Sequence, residues 1–145
     1  MDLFEAELMA TNLIAEHKPD YKFGWIRAVR ILGKCSFRRK TIFLSKAYVK
    51  LNSEDSVRDT ILHELAHAKV GAGIGHSRPW REMSILMGAN PSAYSKEGLN
   101  SVERPYIGIC KKCGLTFERH RLPRKRKLHH ISCGSIDGAI EWKRK

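Results

Sequence analysis

The sequence predicts an α+β protein: a compact domain with a small antiparallel sheet beside a metal-binding helix, then a small Cys/His module. Three observations carry that expectation. Apolar residues recur at helical spacing near the start and switch to period two between residues 23 and 45. A later helical stretch contains His63-Glu64-Leu65-Ala66-His67. Residues 104–145 hold three of the four cysteines, at the spacing of metal ligands.

The first element is a helix over residues 2–16. Its apolar Phe4, Leu8, Met9 and Leu13 fall at helical spacing, and Lys18-Pro19-Asp20 ends it. From Phe23 the period becomes two. Phe23, Trp25, Val29 and Ile31 share one side of a strand that ends near Gly33, with Arg27 out of pattern. Thr41 to Ser45 reads as another strand, and Cys35 to Lys40 as a hairpin or connecting strand. Asn52 or Ser53 caps the next helix, with Glu54 and Asp55 in its first turn. It runs to about Val70, where Gly71-Ala72-Gly73-Ile74-Gly75 breaks it. Ser77 and Pro79 start a further helix, which Gly88-Ala89-Asn90-Pro91 stops. Ala89 to Arg104 lacks periodicity and serves as a connector. The domains expected are thus 1–103 and 104–145.

A length of 145 residues suits one domain with an appendage, and 42% apolar with 29% charged residues excludes wholesale disorder. The net charge of +12 points to a polyanionic partner, with nucleic acid foremost. Residues 1–103 carry 15 Lys/Arg against 12 Asp/Glu, and residues 104–145 carry 12 against 3. The balances of +3 and +9 read as a partner-binding charge that is mostly C-terminal. The opening Met1-Asp2-Leu3-Phe4-Glu5 lacks the basic and apolar regions of a secretory leader, and no stretch is apolar enough to span a bilayer. A reducing cytoplasm is the expected compartment, with no membrane partner.

His63 and His67 stand one helical turn apart, so both imidazoles can reach one ion. Glu64 sits beside that face, able to address a water at the metal rather than the metal itself. Zinc brings such a water's pKa towards about 7, and a carboxylate can then take its proton during attack on a peptide carbonyl. Val57, Ile61, Leu65 and Ala68 form the apolar stripe that anchors this helix. A catalytic zinc needs a third ligand. His76, after a glycine-rich turn, is the candidate; its alternative is a surface-loop histidine. Position 73 is Gly, which excludes the metzincin spacing.

His63-Glu64-x-x-His67 followed by His76-x-x-x-Trp80 resembles the SprT-like metallopeptidases, the family of Spartan-related DNA–protein crosslink proteases. Gly33-Lys34-Cys35, Ile42-Phe43-Leu44-Ser45 and Asp59-Thr60-Ile61-Leu62 resemble further segments of that family. Ser77 departs from the family's usual Gly, altering a turn and no ligand. The resemblance implies a zincin-like domain and zinc-dependent cleavage of DNA-bound or DNA-crosslinked proteins, in the cytoplasm, nucleoid or nucleus. Trp80 reads as packing under the metal loop more than as a substrate contact. Cys35 reads either as a small buried hydrophobe or as a thiol that touches the zinc or reacts. Tyr94, Tyr106 and Arg78 are equal candidates for stabilising an oxyanion.

Cys110-x-x-Cys113-Gly114 is a knuckle in spacing, echoed by His130-x-x-Cys133-Gly134 after a gap typical of zinc ribbons. Cys110, Cys113, His130 and Cys133 would close a tetrahedral structural zinc, with His129 the rival for the third place. A ribbon after the protease domain is common in SprT-like proteins, usually with four cysteines. Between the knuckles, Arg119, Arg121, Arg124, Lys125, Arg126 and Lys127 form a basic loop suited to the DNA phosphate backbone. The alternative reading is a nucleic-acid-binding zinc protein that keeps the fold without protease activity.

Overall fold

The computed structural model describes residues 1–92, 100, 102–124 and 127–145. The chain divides into two compact units, Met1–Val102 and Glu103–Lys145.

The first unit opens with helix α1, Leu3–His17, capped by the Asp2 carboxylate accepting from the Phe4 and Glu5 amides. Its buried face is Ala6, Ala10, Leu13 and Ile14, so of the expected stripe Leu13 enters the core and Met9 packs against it, while the other two do not. Phe4 and Leu8 point outward, 75% and 54% exposed. The two alanines explain the choice, since a small-residue face lets α1 pack closely on the core and the bulkier face is left outside.

Strands β1 (Lys22–Ile26), β2 (Gly33–Ser36) and β3 (Thr41–Ser45) form a sheet in the order β1-β3-β2. β1 runs parallel to β3 and β2 antiparallel to it, so the sheet is mixed, not antiparallel as the sequence suggested. The strand beginning at Phe23 also ends at Ile26, well short of Gly33. One cause accounts for both differences. Residues 27–32 carry the chain to the far edge, leaving Val29 and Ile31 37% and 48% exposed. The turn at 37–40 then folds β3 between its neighbours, where Ile42 and Leu44 are fully buried.

Ser45 caps a short helix α2, Lys46–Leu51, which the sequence pattern did not disclose. Helix α3, Glu54–Val70, starts at Ser53, whose hydroxyl accepts from the Ser56 amide, and ends at Gly71 with φ +96°. Tyr48 pins α2 to α3 by donating to the Ser56 carbonyl and pairing with the Thr60 hydroxyl, at 2.8 and 2.9 Å. Helix α4, Arg78–Leu86, follows with Pro79 in its first turn. Val57, Ile61, Leu65 and Ala68 of α3 enter one core with α1 and β3, so the anchoring stripe lies where the sequence put it.

The second unit is a three-stranded antiparallel sheet in the order β5-β4-β6, with β4 Tyr106–Cys110, β5 Thr116–Arg119 and β6 Ile140–Arg144. Gly108 lets the Trp142 ring cross β4, since a Cβ there would stand 2.8 Å from that ring. No described helix in either unit is long and apolar enough to cross a membrane.

Candidate metal centres

α3 carries His63, Glu64 and His67 on the edge of the core, with Leu65 and Ala66 beneath them fully buried. The chain then turns back through Gly71, Gly73 and Gly75, all with positive φ. None of the three has an atom near a would-be Cβ, so backbone conformation rather than space demands glycine there. That turn delivers His76. Its Nε2 stands 3.0 Å from Nε2 of His67 and 3.0 Å from Nε2 of His63. Three nitrogens around a tetrahedral zinc at ordinary Zn–N length would lie roughly 3.3 Å apart. The trio is therefore compatible with an ion of that size, and His76 stands with the other two histidines. Burial pushes His63 and His67 down to about 4 and lowers His76 as well. All three are neutral at physiological pH, the form in which an imidazole donates a lone pair to a metal.

Trp80 is fully buried under this cluster. Its ring centroid lies 4.6, 5.3 and 4.5 Å from those of His63, His67 and His76, and its indole N–H donates to the His63 carbonyl. It is packing, as its sequence context suggested.

Glu64 lies beside the trio and outside it. Burial raises its carboxyl to about 7, against the lowering effect of a hydrogen bond from the Cys35 amide. β2 makes that contact possible. A Cβ on Gly33 would stand 3.0 Å from Glu64 Cγ and 3.0 Å from Thr60 Cγ2, so glycine lets β2 cross α3 this closely without displacing either side chain. Sequence reading missed this positioning role; the signal was Gly33-x-Cys35 placed just before a strand. The Cys35 thiol itself is pushed up to about 12 by burial and by Glu64, which makes it a protonated, unreactive group at neutral pH. Ile31, Lys34, Phe37, Glu64 and His67 help line an open cleft of about 480 Å³ on this side.

The oxyanion candidates fare differently. Arg78 is exposed and engaged with Glu82 at 2.7 Å. Tyr106 lies on β4 of the other unit. Tyr94 lies outside the described residues.

In the second unit Cys110, Cys113, His130 and Cys133 present one donor atom each within 4.8 Å of one another. His130 Nδ1 is 3.3 Å from Cys113 Sγ and 3.2 Å from Cys133 Sγ. The neighbouring His129 is instead exposed in an isolated bridge to Ala139. The structure thus brings His130, not its rival, into the cluster. Gly114 and Gly134 turn both knuckles with φ +73° and +82°. Amides of Cys113 and Lys112 hold the Cys110 thiol down at about 6, near its thiolate form. Burial and the neighbouring thiols instead push Cys133 up to about 11, and three cysteine sulfurs with one imidazole at this spacing are compatible with zinc. Of the basic residues, Arg119 ends β5 with its guanidinium 5.4 Å from the Trp142 ring centroid. Arg121, Arg124 and Lys127 are exposed, and Lys125 and Arg126 lie outside the described residues.

An α+β unit with a three-histidine cluster and an adjacent carboxylate is a metallopeptidase-like domain. The chain belongs to the SprT-like family, whose model matches residues 3–97. Among curated proteins, none matches it.

Proposed function

We propose that the protein is a zinc-dependent endopeptidase that cuts proteins bound or crosslinked to DNA. One observation carries the hydrolytic part: three histidine nitrogens converge within about one ion's diameter, with Glu64 beside them and outside the donor set. Three protein ligands leave a tetrahedral ion one open position, which distinguishes a catalytic site from a closed one. A zinc ion held there would supply the Lewis acidity that polarises a carbonyl and eases deprotonation of water. Glu64, raised to about 7, is matched to neutral pH as the base that takes the attacking water's proton and returns it to the leaving amine. The Cys35 amide fixes the carboxylate, and Trp80 keeps the three imidazoles in place from below.

Membership of the SprT-like family and the charge of +12 support DNA-bound proteins as the substrate class. In this reading Cys110, Cys113, His130 and Cys133 hold a structural zinc. Arg119, Arg121, Arg124, Lys125, Arg126 and Lys127 meet the phosphate backbone.

The test is Glu64→Gln in the zinc-loaded protein, assayed on a DNA-binding protein with and without DNA. The variant should keep its zinc and lose about 10²–10⁴ in cleavage rate. The parent should cut faster when DNA is present. Full cleavage by the variant would overturn Glu64 as the base, and no cleavage by the zinc-loaded parent would leave the non-catalytic alternative standing.

A further inference from the structure

The modest +3 of residues 1–103 conceals a separation of charge. Residues 1–20 hold five acidic residues and one Lys, and residues 54–103 hold seven acidic residues against five Lys/Arg. Residues 21–53 hold nine Lys/Arg and no acidic residue. Their balance of +9 equals that of residues 104–145, in a shorter segment. Dense positive charge is therefore not confined to residues 104–145.

The fold gathers seven of these charges on the outward face of the sheet and its flanking turns, while Lys46 and Lys50 lie on α2, Lys46 over the Trp25 ring. Ile42 and Leu44 are in the core, with Phe23, Trp25 and Cys35 packed against it. Strand alternation then turns Lys22, Gly24, Phe43 and Lys34 to the opposite face. Gly24, Phe43 and Lys34 form one row across β1, β3 and β2. A Cβ on Gly24 would lie 2.7 Å from the Phe43 ring, so that ring spreads across the glycine. Arg38 and Arg39 occupy the turn at one end of the sheet, and Arg27 and Arg30 the loop at the other. All nine cations are exposed. Among the described residues only Lys40 has an acidic partner, Asp20 at 3.3 Å.

We propose that this outward sheet face and its two flanking turns bind the phosphate backbone of nucleic acid, independently of the basic C-terminal loop. A solvated basic surface ordinarily mixes in acidic residues, and residues 21–53 contribute none, Asp20 beside Lys40 coming from outside the segment. Its length fits the partner. A five-residue strand spans about 17 Å, and a nucleic-acid strand places a charge every 3.4 Å or so along that distance. A π-face between lysines adds a surface on which a base can stack. The flanking segments also expose Val29, Ile31 and Phe37, so an anionic membrane is the competing partner that the vesicle arm of the test addresses. The position also gives the contact a use. Lys34 lies on β2 between Gly33 and Cys35, the two residues that set Glu64, and itself lines the cleft. Nucleic acid on this face would hold an attached protein next to the general base. That consequence rests on the peptidase reading; the binding does not.

The test uses the full zinc-loaded chain with Arg27, Arg30, Arg38 and Arg39 all replaced by Ser. Binding of a fluorescent oligonucleotide is titrated by anisotropy at several salt concentrations, beside an Arg121→Ser, Arg124→Ser, Lys127→Ser variant and the two sets combined. Each lost phosphate contact should lower the log–log salt slope by about 0.7–0.9. The quadruple variant should therefore lose up to about 3.6 in slope and at least roughly tenfold in affinity at low salt. The combined variant should be weaker than either set alone. Lys at the same four positions should restore binding, and zinc content and melting should be unchanged throughout. Parental affinity and slope in the quadruple variant would overturn the proposal. So would loss of binding to phosphatidylserine vesicles with oligonucleotide binding intact. Because the readout is binding, an inactive protease leaves the result interpretable, and free-peptide cleavage reports separately on the catalytic centre.

Discussion

The two units reach their metal clusters by opposite routes. In the first, α3 is fixed by Val57, Ile61, Leu62 and Leu65, all fully buried, before any histidine is considered. His63 and His67 ride on a helix whose place is already decided. In the second, the one buried apolar side chain among the described residues is that of Cys110, 1% exposed and itself a donor in the cluster. There the donors substitute for a core, because a unit of this size cannot bury enough apolar surface. The comparison teaches which fold needs its ion: the first unit should stand without metal, and the second should not.

Loss of the second cluster should have the largest effect. Cys110→Ser with Cys113→Ser should lower zinc content from two ions to one and abolish amide protection in residues 106–144. The protection of α3 should stay intact. Structural zinc sites contribute about 10–16 kcal/mol to folding, more than such a unit holds in reserve. Surviving protection in β4 and β6 would mean that their packing suffices without the ion.

The converse perturbation is smaller. Leu65→Ala should cost the first unit about 2–5 kcal/mol, the range for a buried leucine, read from urea unfolding of α3. The second unit's protection should not change.

Gly33→Ala probes positioning rather than stability. The added methyl meets Glu64 Cγ and Thr60 Cγ2 at 3.0 Å and the Phe43 carbonyl oxygen at 3.2 Å. Displacing the carboxylate should lower cleavage by roughly tenfold to a hundredfold, with zinc content kept. His76→Ala should do the reverse, weakening zinc binding at that cluster first.

The smallest effect is the pH dependence of the metal-free first unit. His63 and His67, lowered to about 4, take up protons later than in the unfolded chain, where they titrate near 6.5. Each contributes stability that is present above pH 6.5 and lost as pH falls to 4. Glu64, raised from 4.5 to about 7, acts in the opposite sense and adds stability as pH falls through that window. Metal-free Glu64→Gln should therefore lose stability more steeply between pH 7 and 4.5 than the parent does, measured as the shift in urea midpoint.

What the sequence determined by itself was local. His63, Glu64 and His67 share a helix because a helix brings every fourth residue round again, and the buried stripe through Leu65 is legible by the same period. Cys110 with Cys113, and His130 with Cys133, were legible because two-residue knuckles are set by the chain between them. The tertiary structure decided what depends on distant partners. Phe4 and Leu8 of α1 look as buriable as Ala6 and Ala10, and only the surface they meet selected the alanines. The parallel pairing of β1 with β3 rests on where residues 27–32 cross the sheet. Gly33 and Cys35 acquire their role from Glu64, some thirty residues on. The charges of residues 21–53 were countable in the sequence, yet the gathering of seven of them on one face and its flanking turns required the strand register. Period and spacing are carried by bonds along the chain, whereas register, packing and charge placement are fixed only when segments far apart in sequence come into contact.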